Sequence, residues 1–165
     1  MIRQIIPPHY CLKCKGCCRF KEADSAWVPC LLHEEVQLLL GKAIPPAAIS
    51  KGKRLLAVPG EDRQGFVCPF LSTPDNTCKI YSFRPFECQL YPFLLNARGK
   101  KIILTVDLNC PWVQENLKSK ECKEYTDYLA AFLNSPSQLK MLKDNPHLLV
   151  AYEEVAELVE LHLSE

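Results

Sequence analysis

The chain has 165 residues, 48% hydrophobic and 24% charged, a length and balance that suit a single globular domain. Its formal net charge is +1, so no broad field directs it to nucleic acid or to an anionic membrane. Ten cysteines are too many for background, and such a count belongs either to an oxidising compartment with disulfides or to a reducing one with metals.

Residues 1–10 form a lead-in that Pro7-Pro8 is expected to make stiff and extended. Its broken apolar run, Met1 to Ile6, falls short of the ~7–15 apolar residues of a secretory signal. No run approaches the ~20 apolar residues of a membrane span. The expectation is a cytoplasmic protein with its thiols reduced, and therefore with metal rather than disulfides.

Cys11, Cys14, Cys17 and Cys18 then fall within eight residues. Cys30 follows Pro29, ahead of a helix expected from Leu32 to Leu40 and closed by Gly41. Residues 42–65 read as connecting chain with a short strand at 55–58. The basic run Lys51, Lys53 and Arg54 there reads as a solvated loop. Short strand pieces are expected at Phe66-Val67 and Ile80-Tyr81, with a turn at Thr73-Pro74-Asp75-Asn76. Pro92 to Leu95 and Ile102 to Val106 read as a hairpin turning between Asn96 and Gly99.

Pro111 suits the first turn of a helix, and Val113, Leu117, Tyr125, Tyr128, Leu129 and Phe132 continue it at helical spacing. Asn134-Ser135-Pro136 stops that helix, and Ser137 to Lys143 suits another short one. Leu148 to Leu163 reads as an amphipathic helix, with Leu148, Tyr152, Val155, Leu158 and Val159 facing away from Glu153, Glu154, Glu157 and Glu160. The fold class expected is α+β within one domain, 1–165. Residues 9–112 would be a small, irregular, metal-stapled part with short strands, and residues 113–165 a helical part.

The chemistry lies in the cysteines. Thiolate is a soft anionic ligand that selects zinc, copper(I) and iron–sulfur clusters. A two-residue gap lets the chain fold back so that both sulfurs reach one centre. The second cysteine region reads Cys68-Pro69-Phe70-Leu71, then Cys78-Lys79-Ile80-Tyr81, Arg84-Pro85, Cys88 and Tyr91-Pro92, with Cys110-Pro111 beyond.

The combination C-x2-C-x2-C-C, C-P-F-L, and C-x-I-Y-x2-R-P-x2-C-x2-Y-P resembles the YkgJ-type cysteine-cluster proteins, a domain described as zinc- or iron-chelating, over residues 9–112. The flagellin lysine N-methylases carry a similar domain. The resemblance implies that Cys11, Cys14, Cys17, Cys18, Cys68, Cys78 and Cys88 bind metal, and Cys110 by a looser match. Gln89 stands where many relatives have arginine.

Eight thiols exceed one four-coordinate centre. Adjacent Cys17 and Cys18 are awkward ligands for the same ion. Two zinc sites, one iron–sulfur cluster with spare thiols, and a polynuclear cluster all remain open. The C-x2-C-x2-C run with a distant Cys-Pro favours a 4Fe–4S cluster over zinc. Thiolates leave negative charge, which Lys13, Lys15, Arg19, Lys79 and above all Arg84 can offset. His9, His33, His147 and His162 share no ligand spacing, and Cys122 reads as a buried small hydrophobe. Tyr81 and Tyr91 read as core aromatics around the site.

The expected function is a metal-binding protein with a redox or accessory role. The alternatives are a zinc module acting as an adaptor, with the 148–163 helix docking an unknown protein partner, or a cluster-dependent enzyme related to the methylases. No G-x-G-x-x-G or P-loop follows a strand, so no Gly-rich nucleotide site is visible.

Overall fold

The computed structural model describes residues 2–14, 16–61 and 65–162. The chain divides into two compact units, Pro8–Gln89, and Met1–Pro7 with Leu90–Glu165. The fold class is α+β, with helices and small antiparallel sheets.

The Pro8–Gln89 unit begins with helix α1 (Pro8–Cys14), so the end of the lead-in is helical rather than extended, with Pro8 at the first position, which proline tolerates. The helix puts Cys11 and Cys14 one turn apart on the same side. Strands β1 (Arg19–Phe20), β2 (Val58–Pro59) and β3 (Phe66–Val67) form an antiparallel sheet in the order β1-β3-β2. Each strand has only two residues, so the sheet depends on packing rather than on its ladder. Helix α2 (His33–Gly41) lies one residue from its expected place. A hairpin, β4 (Leu71–Ser72) with β5 (Thr77–Cys78), pairs Leu71 with Cys78. The turn expected at 73–76 closes it, and Asn76 adopts φ +55°, a region asparagine tolerates better than most residues. Helix α3 (Phe86–Leu90) carries Cys88.

Phe20, Val28, Leu31, Leu39, Leu55 and Phe70 centre the core of this unit. Cys68 is buried in it, and Cys18 and Cys78 pack against it. These three thiols therefore sit along a hydrophobic wall. Gly65 lies at φ +116°, where a Cβ would come within 2.8 Å of the Phe20 carbonyl oxygen, so the β1–β3 approach requires glycine. Two local expectations change. The 55–58 strand contracts to β2, with Leu55 bridging Ile49. Ile80-Tyr81 is not a strand: Tyr81 opens a single 3-10 turn, Tyr81–Phe83, and is 56% exposed rather than a core aromatic.

In the other unit, β6 (Phe93–Arg98) and β7 (Lys101–Asp107) make the expected hairpin, extended to a tight turn at Gly99 (φ +61°) and Lys100. Helices α4 (Pro111–Asn116) and α5 (Lys120–Leu133) replace the single helix expected from Pro111. The break comes where Ser119 accepts a hydrogen bond from the Cys122 backbone N–H at 3.0 Å, an N-cap that starts a new helix. Helix α6 (Pro136–Asp144) follows the expected stop. Phe93 and Tyr125 pack with ring centroids 5.2 Å apart.

The largest departure is at 148–163. The chain makes a 3-10 turn at Pro146–Leu148 and then strand β8 (Val155–Leu161), not a helix. β8 adds to β7, giving the order β6-β7-β8. The register pairs Leu104 with Val159 and Thr105 with Glu157, so Leu158 is an extra residue at a bulge. That extra residue places Val155, Leu158 and Val159 at helical spacing within a strand, which is why the pattern imitates a helix. Two β-branched valines and the ladder offered by β7 decide for the strand. Glu157 and Glu160 pair with Arg98 and Lys101 at 3.3 and 2.7 Å. These exposed pairs secure register more than stability.

Candidate metal centre

Seven of the eight motif cysteines belong to the Pro8–Gln89 unit. Cys11 and Cys14 lie on α1, and Cys17 and Cys18 in the chain leading into β1. Cys68 follows β3, and its backbone N–H donates to the Cys18 carbonyl at 2.9 Å. Cys78 ends β5, and Cys88 lies in α3. The β1–β3 pairing thus brings the first cysteine region to the second. Cys110, also buried, precedes α4 in the other unit.

The thiols are linked to one another. The side-chain interaction with Cys18 comes first in pushing the Cys17 thiol well up, followed by desolvation and the Cys18 charge. For Cys18 the interaction with Cys17 pulls down, but the interaction with Cys68, desolvation and the Cys68 and Cys78 charges take the thiol to about 12. Burial first, then the Cys18 and Cys17 charges, drives Cys88 well above its ordinary value. Burial also raises Cys11, reinforced by Cys17 and Cys14, and it raises Cys78. Cys11, Cys17, Cys18, Cys78 and Cys88 therefore each lie in the field of at least one other of these sulfurs. A cluster of this kind stays protonated by itself and ionises when a cation relieves the repulsion.

Among the described residues, no three Cys, His, Asp or Glu side chains are arranged to hold a metal ion as they stand. The fit to a metal rests on the donors themselves: seven sulfurs in one unit, three of them in or against an apolar core. That set suits a soft or borderline metal and no hard one.

Arg84 is the cation whose field lowers Cys11, Cys17 and Cys78. Its guanidinium lies over the Tyr81 ring at 4.4 Å, and its carbonyl accepts from Gln89 Nε2 at 2.9 Å. The charge-offsetting role expected first of Arg84 thus has a physical basis. Arg19 instead donates to Asn76, and Lys15 lies outside the described residues. Tyr91 donates its hydroxyl to Asp107 at 2.7 Å, in the other unit. Cys122 is 1% exposed in α5, the buried small hydrophobe expected of it.

Sequence reading missed two carboxylates that hold the site's framework. Glu87, beside Cys88, accepts from the Cys30 backbone N–H at 2.7 Å, and burial pushes its carboxyl up to about 7. Arg54 bridges Cys30 through the backbone, its charge lowers the Cys30 thiol against the burial that raises it, and it donates to the Ser25 carbonyl at 2.9 Å. Cys30 is thereby absorbed into a polar knot. Glu35 joins α2 to α3, accepting from Leu32 N–H at 2.8 Å and Phe86 N–H at 2.5 Å. Residues 51 to 57 positions apart meet in these contacts, and no local spacing announces them.

Glu35 carries a pH dependence. Burial raises its carboxyl, while the two backbone donors pull it down less. A carboxyl raised in the folded state contributes its full stability below the unfolded value, and that contribution is lost as pH rises through the folded one. Glu35→Gln cannot ionise and gives up one acceptor, at about 1 kcal/mol. The stability of the unmodified protein relative to Glu35→Gln is therefore expected to fall from about pH 4 towards neutrality. Urea unfolding across that range checks this, and a difference that does not change with pH contradicts it.

Residues 10–111 match the family model CxxCxxCC, described as "Putative zinc- or iron-chelating domain". An uncharacterized protein of Methanocaldococcus jannaschii is 29% identical over 104 residues, which cover 61% of this chain and 53% of that protein. The chain thus spans about half the length of that curated relative. No solved structure matches. No helix among the described residues is long and apolar enough to cross a membrane.

Proposed function

This chain belongs to the CxxCxxCC family of zinc- or iron-chelating domains, and we propose that its cysteine cluster holds an iron–sulfur cluster in a redox or accessory role. Cys11, Cys14, Cys17, Cys18, Cys68, Cys78 and Cys88 are the ligand pool; Cys110 belongs to the other unit and has only its Cys-Pro motif in its favour. The observation that supports metal binding is the backbone pairing of Cys68 with Cys18, its N–H donating to the Cys18 carbonyl at 2.9 Å, which joins two cysteine-bearing segments fifty residues apart in sequence. Iron–sulfur is supported by the C-x2-C-x2-C spacing and by Cys-Pro at residues 68–69.

A zinc reading has its own support, because seven thiols in one unit suffice for two zinc ions sharing a ligand. The residues would supply thiolate ligands in either case, and Arg84 would offset part of their charge. The localisation that accords with free thiols is the cytoplasm.

The test is the visible spectrum, with iron, sulfide and zinc content, of protein purified without oxygen. About four irons with matching sulfide and a broad visible shoulder are expected. Colourless protein containing zinc would replace the iron–sulfur reading with a structural or metal-handling zinc module.

A further inference from the structure

Three thiol-bearing segments meet at one side chain that carries no sulfur. Asn76 stands in the β4–β5 turn, two residues before Cys78. Its Nδ2 donates to the Cys11 carbonyl and to the Leu12 carbonyl, each at 2.9 Å. Its Oδ1 accepts from Arg19 Nη1 at 2.6 Å, next in sequence to Cys18. One amide thus ties α1, the entrance to β1 and the β5 hairpin together.

The chemistry suits an amide. Only asparagine and glutamine side chains offer two N–H donors and a carbonyl acceptor from one planar group. The last four carbonyls of a helix lack partners within it, and Cys11 and Leu12 are among those of α1. A seven-residue helix has little stability of its own, so contacts from elsewhere fix where it lies. With no buried residue on α1, apolar packing does little of that work. Asn76 does it with hydrogen bonds, and the αL backbone at the turn aims the short side chain at the helix end.

We propose that Asn76 is a positioning residue of the metal centre, setting Cys11 and Cys14 on α1 against Cys18 and Cys78 so that their sulfurs can share a metal. The proposal rests on the metal-binding reading above. It makes Asn76 an outer partner of the ligands, the kind of group whose loss costs metal affinity.

The test separates this role from that of an ordinary turn residue. Asn76→Gly keeps the backbone, because glycine adopts φ > 0 without strain, and removes the side chain. Asn76→Asp keeps an acceptor for Arg19 and removes both donors. Cobalt(II) serves as the probe, its affinity measured by chelator competition and its thiolate bands read in the visible and near-ultraviolet. Both variants are expected to bind cobalt about 10–100-fold more weakly than the unmodified protein, with altered thiolate bands. The metal-free variants should unfold at nearly the unmodified urea midpoint, as Asn76 is not part of the core. Cobalt affinity within about threefold of the unmodified protein in both variants, the scatter of an ordinary surface change, would overturn the proposal. Failure of the unmodified protein itself to bind cobalt or any native metal would instead overturn the reading beneath it.

Discussion

Cys18→Ser is expected to abolish stable metal retention. Cys18 is central to the thiol series: its carbonyl accepts from the Cys68 N–H at 2.9 Å, and its thiol is influenced by those of Cys17, Cys68 and Cys78. Serine keeps the shape but offers a hard, weakly acidic oxygen where a soft thiolate is needed. The loss in affinity should exceed the roughly 10–100-fold that outer partners of metal ligands are worth. Metal binding energy is also folding energy, so the thermal midpoint of the Pro8–Gln89 unit should fall together with metal content. Cys122→Ser is the control. It removes a thiol that is buried in α5 of the other unit and should leave metal content unchanged. Metal per chain after desalting, measured for both variants, decides the matter. Full retention by Cys18→Ser would remove the thiol series from the site.

Leu104→Ala should produce the largest purely structural loss. Leu104 is 0% exposed in β7, the central strand, with Leu95 opposite on β6 and Val159 opposite on β8. Truncating a buried leucine costs its transfer energy plus the cavity left behind, about 2–5 kcal/mol. A central strand flanked on both sides has little freedom to collapse into the void, so the upper half of that range is expected. Urea unfolding measures it. A loss below about 1 kcal/mol would mean that the sheet relaxes around the site far more than close packing allows.

The thiol motif was legible because metal ligation depends on residue type and short spacing. C-x2-C marked Cys11 and Cys14 as a pair, though not the helix that carries them, and the Arg84 signature pointed to a cation whose field reaches the sulfurs. Helix α2, the β6–β7 hairpin, the start of α4 and the Asn76 turn also followed from caps, turns and periodicity. The failures have a common cause in long-range competition. β8 was hidden because one bulge residue, Leu158, turned a strand pattern into a helical one, and only β7 could reveal it. The adaptor idea built on a docking helix at 148–163 loses that helix. The split between α4 and α5 turned on a single serine cap. Glu35, Glu87 and Asn76 were invisible because their partners lie 51 to 65 residues away.

The most direct measurement is the number of metal ions per chain, by elemental analysis of anaerobically purified protein. The thiol cluster predicts at least one equivalent of iron or zinc per chain, released when the thiols are protonated or blocked by a mercurial. Protein that is folded, carries less than about a tenth of an equivalent of any soft or borderline metal, and takes up none when it is offered would contradict the account.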